Sequence, residues 1–138
     1  MSLIIPTAAQ LDSLRGMITG YLSLMYMRLF ISNITVDAAT TLSDCLAVEA
    51  TFTGYAPSQL SSWSTPVTET DGSAGTVNSQ GSFTGTASGG TGNIYGYFLV
   101  DSAGTKFYGA ESFASGPISL PQNVALTPTA TYTALSRF

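Results

Sequence analysis

The sequence contains no histidine and one cysteine, and only 9 % of its 138 residues are charged. Without histidine, Ser–His–Asp triads, acid–base catalysis by imidazole and histidine-based metal sites are excluded. Cys45 has no second cysteine to pair with, so the chain can form no internal disulfide. We expect Cys45 to be a small, buried apolar residue, since free cysteine is usually buried.

Positive charge is also scarce. The chain has four basic and eight acidic residues, which give a net charge of −4. The basic residues are far apart in the sequence: Arg15, Arg28, Lys106 and Arg137. A nucleic-acid site needs a continuous basic surface to neutralise phosphates. We therefore expect no nucleic-acid partner, even though aromatic residues that could stack on bases are present.

Apolar residues make up 44 % of the chain, which is long enough to bury a core without metals or disulfides. The most apolar run, residues 17–31, is short and contains Arg28, so no membrane span is expected. Residues 1–14 carry no basic residue, which argues against an export signal. We therefore expect a protein that is made in a cytoplasm and has no membrane partner.

The N-terminal residues predict a short helix. Thr7 and Gln10 have the spacing of a capping box, in which each side chain bonds the other residue's backbone amide. Three apolar residues then recur on one helical face: Leu11, Leu14 and Ile18. Gly16 and Gly20 limit the helix. We interpret residues 1–20 as a helical arm and these three side chains as interface residues.

The remaining residues, 21–138, predict an antiparallel β-sandwich or jelly-roll-like domain, so the fold class is mainly β with a short N-terminal helix. Short strands separated by glycine and proline turns are typical of such folds. Residues 33–44 and 70–74 are predicted as a loop and a turn. The predicted strands are 21–32, 46–55, 60–70, 76–87, 94–101, 105–113, 118–120 and 123–135.

Residues 94–113 form the strongest predicted hairpin, with Gly104 supplying the positive φ of its turn. Strand alternation places Ile94, Gly96, Phe98 and Val100 on a core face. The opposite face carries Tyr95, Tyr97, Leu99 and Asp101. That second face could be core, a protein interface or a carbohydrate platform. Tyrosine suits an interface because it buries area while keeping a polar end, so Tyr95 and Tyr97 are the candidate interface residues.

Enzymatic chemistry has little support in the sequence. Glu49 and Glu111 lie within apolar runs, and two carboxylates at a fixed separation could hydrolyse glycosides. Nothing in the sequence brings them together, so we expect structural or solvent-facing roles. The aspartates occupy loop positions, where their side chains bond nearby amides, and their spacing matches no calcium loop. We expect no enzyme activity, catalytic residue, cofactor or metal.

Several segments resemble a family of small proteins common in tailed-phage genomes. The segments are LFISN (29–33), EATFTGYAP (49–57) with the following Leu60 and Trp63, and IYGYFLVD (94–101). The shared pattern runs from a short N-terminal helix to a Leu-Phe strand, a Glu-Ala-x-Phe-x-Gly-Tyr-Ala block, a tryptophan and an Ile-Tyr-Gly-Tyr strand.

The resemblance implies a virion structural protein, with capsid decoration (cement) as the leading role. The implied partners are the major capsid protein and further copies of the chain, with a trimer suited to capsid three-fold positions. The implied location is the virion, assembled in the host cytoplasm. Two alternatives stay open: a part associated with the tail or fibre, and a carbohydrate-binding receptor module using Tyr95, Tyr97, Tyr108 or Trp63. A glycosidase built on Glu49 and Glu111 is a third.

Overall fold

The computed structural model describes residues 25–37, 39–60, 63, 75–85 and 90–134. In these ranges the chain is mainly β, with antiparallel strand pairing. The predicted N-terminal helix, with Leu11, Leu14 and Ile18, lies outside the described residues. The elements are β1 (Tyr26–Phe30), α1 (Leu42–Leu46), β2 (Ser58–Gln59), β3 (Gly75–Gln80), β4 (Phe83–Thr84), β5 (Asn93–Ile94), β6 (Gly96–Val100), β7 (Phe107–Ser112), β8 (Ile118–Ser119), β9 (Ala125–Leu126) and β10 (Thr129–Ala134).

The chain divides into two compact units. One unit contains β3 and β10, which pair antiparallel from Thr129↔Gln80 to Ala134↔Gly75. The other consists of Met25–Gln59 and Gly81–Pro128. This larger unit holds a four-stranded sheet in the order β2-β1-β6-β7 and the two small pairs β4–β9 and β5–β8.

The two central strands, β1 and β6, form the core of the four-stranded sheet. Their five-residue ladder runs from Tyr26↔Val100 to Phe30↔Gly96. Central strands are covered on both faces and therefore carry apolar residues at consecutive positions. Here Met27, Leu29 and Phe30 are fully buried, as are Phe98 and Val100. The predictions of strands at 21–32 and 94–101 are confirmed over β1 and over β5 and β6.

One face of this sheet packs against α1. Phe30, Phe98 and Val100 form a buried cluster with Cys45, whose predicted burial is confirmed. Burial raises the pKa of the Cys45 thiol, and the neighbouring Asp44 carboxylate raises it further. The helix begins at a capping box: Thr41 accepts from the Asp44 amide, and Asp44 accepts from the Thr41 amide.

Two sequence predictions in this region are wrong. The predicted loop 33–44 contains the start of α1, because Thr41 and Asp44 satisfy amides at the helix N-terminus. The predicted strand 46–55 is instead the end of that helix followed by an irregular segment. The amides of residues 47–49 bond backward to residues 43–46, so only residues 48–50 reach β1, where Glu49 forms an isolated bridge with Phe30.

The predicted hairpin turn is confirmed at residues 101–104. Gly104 has φ 71°, and its amide donates to the Asp101 carbonyl. The Asp101 carboxylate accepts from the amides of Thr105 and Lys106 and from the Thr105 hydroxyl. The Lys106 amide is the main cause of the lowered pKa of Asp101. Asp101 therefore stabilises the turn, as the sequence predicted for loop aspartates.

The other strand predictions are confirmed in part. The predicted strand 76–87 is divided into β3 and β4, and 123–135 is divided into β9 and β10. The predicted strands 105–113 and 118–120 correspond to β7 and β8. The predicted turn 70–74 lies outside the described residues. Within the ranges described, no helix is long and apolar enough to cross a membrane.

Phe98→Ala tests the sheet core. The ring is fully buried, so its removal leaves a cavity, and the free energy of unfolding should fall by about 3–5 kcal/mol. Chemical denaturation measures the change. Val124→Ala, at a side chain that is 42 % exposed, is the control and should change stability by less than about 0.5 kcal/mol. Equal, small effects of both substitutions would contradict the core assignment.

Candidate functional site: an aromatic cleft beside a charged cluster

Arg28 and Glu49 form an ion pair at the edge of the sheet. Arg28 lies on β1, and Glu49 lies opposite Phe30 on the neighbouring segment. Arg28 Nη1 donates to both Glu49 oxygens, at 3.0 and 3.3 Å. The side chains are only 18 % and 21 % exposed, and Arg28 Nε is buried with no hydrogen-bond partner among the described residues. The ion pair with Glu49 therefore offsets most of the desolvation cost of burying the Arg28 guanidinium.

The Tyr55 hydroxyl joins this pair to the backbone of β1. It donates to Glu49 Oε2 at 2.8 Å and accepts from the Leu29 amide at 3.1 Å. Burial, followed by the bond and charge of Glu49, raises the pKa of the Tyr55 phenol well above its ordinary value, although the Leu29 amide opposes this. The phenol is thus neutral, and its hydroxyl both donates and accepts a hydrogen bond within the protein.

Glu111 forms a second carboxylate–tyrosine pair on β7. Its Oε2 accepts from the Tyr97 hydroxyl at 2.6 Å, and burial and this bond raise the pKa of Tyr97. Tyr97 lies opposite Glu111 on neighbouring strands. The segment of Glu49 lies beside β1, and β6 and β7 follow across the sheet. Three strand spacings of about 4.8 Å therefore separate the backbones of Glu49 and Glu111, a distance of roughly 14 Å.

The two glutamates also project from opposite faces of the sheet. Residues that lie directly opposite each other on neighbouring strands project from the same face of the sheet. Glu49 is therefore on the same face as Phe30, Gly96 and Ser112. Glu111 is adjacent to Ser112 and projects the other way. Paired glycosidase carboxylates are about 5–10 Å apart on one site, so these two cannot form such a pair. Within the described part of the chain, no group of three or more acidic or cysteine side chains could hold a metal ion.

The segment after Glu49 brings aromatic rings together through a tight turn. The Tyr55 amide donates to the Phe52 carbonyl at 3.0 Å, and Gly54 adopts φ 84° at the third position of the turn. A positive φ at that position favours glycine. The Phe52 and Tyr55 rings meet edge to face at 5.2 Å, and Tyr55 stacks on Phe83 of β4 at 6.1 Å.

These rings line a cleft of about 300 Å³. Its wall combines aromatic and other apolar groups with small hydroxyl side chains, and none of its lining residues carries a charge. The lining residues are Phe52, Gly54, Tyr55, Ala56, Pro57, Ser58, Ser82, Phe83 and Thr84. Ser58 Oγ accepts from the Ser82 amide at 2.9 Å, which ties the two sides of the cleft together. A cleft of this composition suits a neutral ligand with an apolar face.

A second cleft, of about 380 Å³, lies beside β7. It is bounded by the loop before α1 and by the first residues of β7: Val36, Asp37, Thr40, Phe107, Tyr108, Gly109 and Ala110. Asp37 Oδ1 accepts from the Ala39 amide, which fixes the loop. Within the described ranges β7 pairs only with β6, and four consecutive residues of β7, 107–110, line this cleft.

The structure places the predicted tyrosines in different environments. Tyr97 is only 6 % exposed and contacts Phe113 at 6.4 Å between ring centroids, so it offers a partner little area. Tyr95 is half-buried and packs against the cluster of Phe30 and Phe98. Tyr108 lines the second cleft, and the Trp63 indole donates to the Leu60 carbonyl. Tyr95, Tyr97 and Tyr108 therefore do not form one platform.

The sequence predicts neither the charged cluster nor the aromatic cleft. The strand predicted over residues 46–55 places Phe52 and Tyr55 in a β-strand, not in a turn. The sequence Phe-Thr-Gly-Tyr-Ala-Pro contains the signal for a turn, since a glycine between two aromatics and a following proline favour a loop. Arg28 and Glu49 are 21 residues apart, and no local pattern joins them.

No family model matches the chain, and neither the curated proteins nor the solved structures include one that is significantly similar to it.

Gly104→Ala tests the contact between the hairpin turn and the charged cluster. A Cβ at residue 104 would lie 2.7 Å from Arg28 Nη2, so alanine must displace the guanidinium that bonds Glu49. Gly92→Ala is a matched control, because Gly92 also has φ 71° but nothing lies near its Cβ position. We expect losses of about 1 kcal/mol for Gly92→Ala and about 2–3 kcal/mol for Gly104→Ala. Equal losses in chemical denaturation would contradict this contact.

The two tyrosine–carboxylate pairs predict a loss of stability at high pH. The pKa values of Tyr55 and Tyr97 are raised in the folded chain. The contribution of the two phenols to the free energy of unfolding is therefore complete below the ordinary phenol pKa, near 10. It is lost above that pH, because the phenols ionise in the unfolded chain before they do so in the folded chain.

Unfolding free energies measured between pH 9 and 11.5 should fall by up to about 1.4 kcal/mol per pH unit for each phenol. The double variant Tyr55→Phe/Tyr97→Phe starts from a lower stability but should fall less steeply. If the free energy of unfolding of the parent and of the double variant fell equally with pH, the pKa values of these two phenols would not be raised in the folded chain.

Proposed function

We propose that the chain is a non-enzymatic structural protein of a phage virion, in the first place a capsid decoration protein that binds and stabilises the shell of the major capsid protein. The observation that carries the proposal is that β7, which pairs only with β6 among the described strands, lies beside a cleft of mixed polar and apolar lining. The sequence resemblance to small tailed-phage proteins supports the same role.

A free strand edge is a ready docking element. Its outward N–H and C=O groups can bond an extended segment of another protein, and neighbouring cavities then select side chains. Here β7 pairs with β6 alone within the described ranges, and the second cleft offers Val36, Phe107 and Ala110 as apolar walls. An extended segment of a capsid subunit fits both features.

The charge distribution supports protein docking. Charged residues are 9 % of the chain, and the carboxylates of Glu49, Glu111 and Asp101 accept hydrogen bonds within the protein. A surface with few free charges can be covered by a partner at little desolvation cost.

Residues 1–20 are proposed as an interface arm, residues 21–138 as a sandwich-like body, and the oligomer as a trimer at capsid three-fold positions.

The second candidate function is a tail- or fibre-associated module that binds receptor carbohydrate. The uncharged aromatic cleft of Phe52, Tyr55 and Phe83 favours it, because sugars expose both an apolar ring face and many hydroxyl groups. The two functions differ in where the chain is located on the particle and in how many copies it contributes.

The copy number of this chain per purified virus particle, measured by quantitative mass spectrometry, distinguishes the two. Hundreds of copies are expected for a protein that covers the head. A few to a few dozen would support the tail or fibre instead, and absence from the particle would reject both virion roles.

Tyr108→Ala then tests the docking edge. It should weaken binding to isolated capsid shells at least tenfold, because the ring lines the second cleft. Val124→Ala, at an exposed site in the connection between β8 and β9, should leave binding to the shells unchanged. Unaltered binding of the Tyr108→Ala protein would place the docking surface elsewhere.

A further inference from the structure

We propose that the cleft formed by Phe52, Tyr55, Ser58, Ser82, Phe83 and Thr84 is a binding site for a neutral saccharide, which it holds by stacking one sugar ring and bonding its hydroxyl groups. This proposal rests on the second candidate function rather than on capsid decoration. It replaces the tyrosine platform expected from the sequence with a different set of residues.

The electrostatics of the cleft select an uncharged ligand. None of its lining residues is acidic or basic. The Glu49 carboxylate, which bonds the Tyr55 hydroxyl, is paired with Arg28. A phosphate or sulfate would therefore find no cation in the wall, and an ammonium group would find no unpaired carboxylate. Either ion would lose hydration without compensation.

The aromatic wall is held in place before any ligand arrives. The Tyr55 hydroxyl is fixed by Glu49 and the Leu29 amide, which leaves the ring to line the cleft. Phe83 is 4 % exposed and stacks on Tyr55 with the ring planes 11° apart. Phe52 is half-buried and meets Tyr55 at 65°. Rigid aromatic surface lowers the entropic cost of binding.

The polar part of the wall matches a sugar rather than a peptide. Ser58, Ser82 and Thr84 each carry a hydroxyl, which can both donate and accept, as sugar hydroxyls do. Ser58 Oγ already accepts from the Ser82 amide, and its hydrogen can be donated to a ligand. Proline-rich peptides also bind aromatic grooves. Here, however, the Tyr55 hydroxyl, which would donate to a peptide carbonyl, is already bonded within the protein.

The size of the cleft limits the ligand. At about 300 Å³, it lies at the lower end of small-molecule sites. One sugar ring, with a second at the mouth, is the expected occupant. The affinity of such a site for a single sugar should be in the millimolar range, since only one ring face is stacked and few hydrogen bonds are made.

The test is a titration of the full ¹⁵N-labelled chain, followed by amide chemical shifts. The probes are methyl glucoside, methyl galactoside, methyl mannoside and N-acetylglucosamine, with sialic acid as a charged probe and decaproline as a peptide probe. We expect at least one neutral sugar to shift amides in residues 52–58 and 82–84 saturably, and sialic acid and decaproline to leave them unchanged.

Phe52→Leu keeps an apolar side chain but removes the flat ring, and should weaken sugar binding about tenfold while the thermal unfolding temperature stays close to that of the parent. Tyr108→Leu makes the same kind of change in the second cleft and should leave sugar binding unaltered. Ser58→Ala should weaken binding through the lost donor.

The proposal is overturned if no neutral sugar shifts these amides, if decaproline or sialic acid alone does, or if Phe52→Leu and Tyr108→Leu act alike. These outcomes leave the particle copy number untouched, so the capsid proposal and the saccharide site fail separately.

Discussion

The hydrogen bond from the Leu29 amide to the Tyr55 hydroxyl completes an edge of β1 that no continuous strand covers among the described residues. Residues 48–50 pair with one end of β1, and β2 pairs with the other. Between them a side-chain oxygen takes the place of a backbone carbonyl. An unsatisfied amide at a buried strand costs about 1–3 kcal/mol. The segment between residues 50 and 58 can therefore leave the sheet and form the wall of a cleft.

The same phenol separates charge from the candidate binding surface. Arg28 and Glu49 form an ion pair that the Tyr55 hydroxyl bonds, and the aromatic rings line a cleft whose residues carry no charge. If the ion pair opened, Tyr55 would lose the acceptor that orients it, and the aromatic wall would loosen. The stability of the sheet edge and the shape of the cleft thus depend on one cluster.

The two faces of the sheet use their polar residues differently. On one face Cys45, Phe30 and Phe98 exclude water, and on the other Tyr97 is buried with its hydroxyl on Glu111. Each glutamate that the sequence marked as unusual within an apolar run bonds a tyrosine hydroxyl. The position of each carboxylate within an apolar run is therefore explained by a structural hydrogen bond.

Local patterns in the sequence correctly predict the β class, the hairpin at 94–113, the Gly104 turn, the buried Cys45 and the core positions of Phe98 and Val100. These features follow from local periodicity and turn chemistry, which act between residues a few positions apart. The sequence also marked Glu49 and Glu111 without locating them. Residues 46–55 are not a strand because the local cap at Thr41 starts α1 and because residues 48–50 pair with β1, a contact made only in the folded chain. The ion pair of Arg28 with Glu49 and the stacking of Tyr55 on Phe83 are also tertiary, since contacts between residues 21 or 28 positions apart arise when the sheet assembles and leave no periodic trace along the chain.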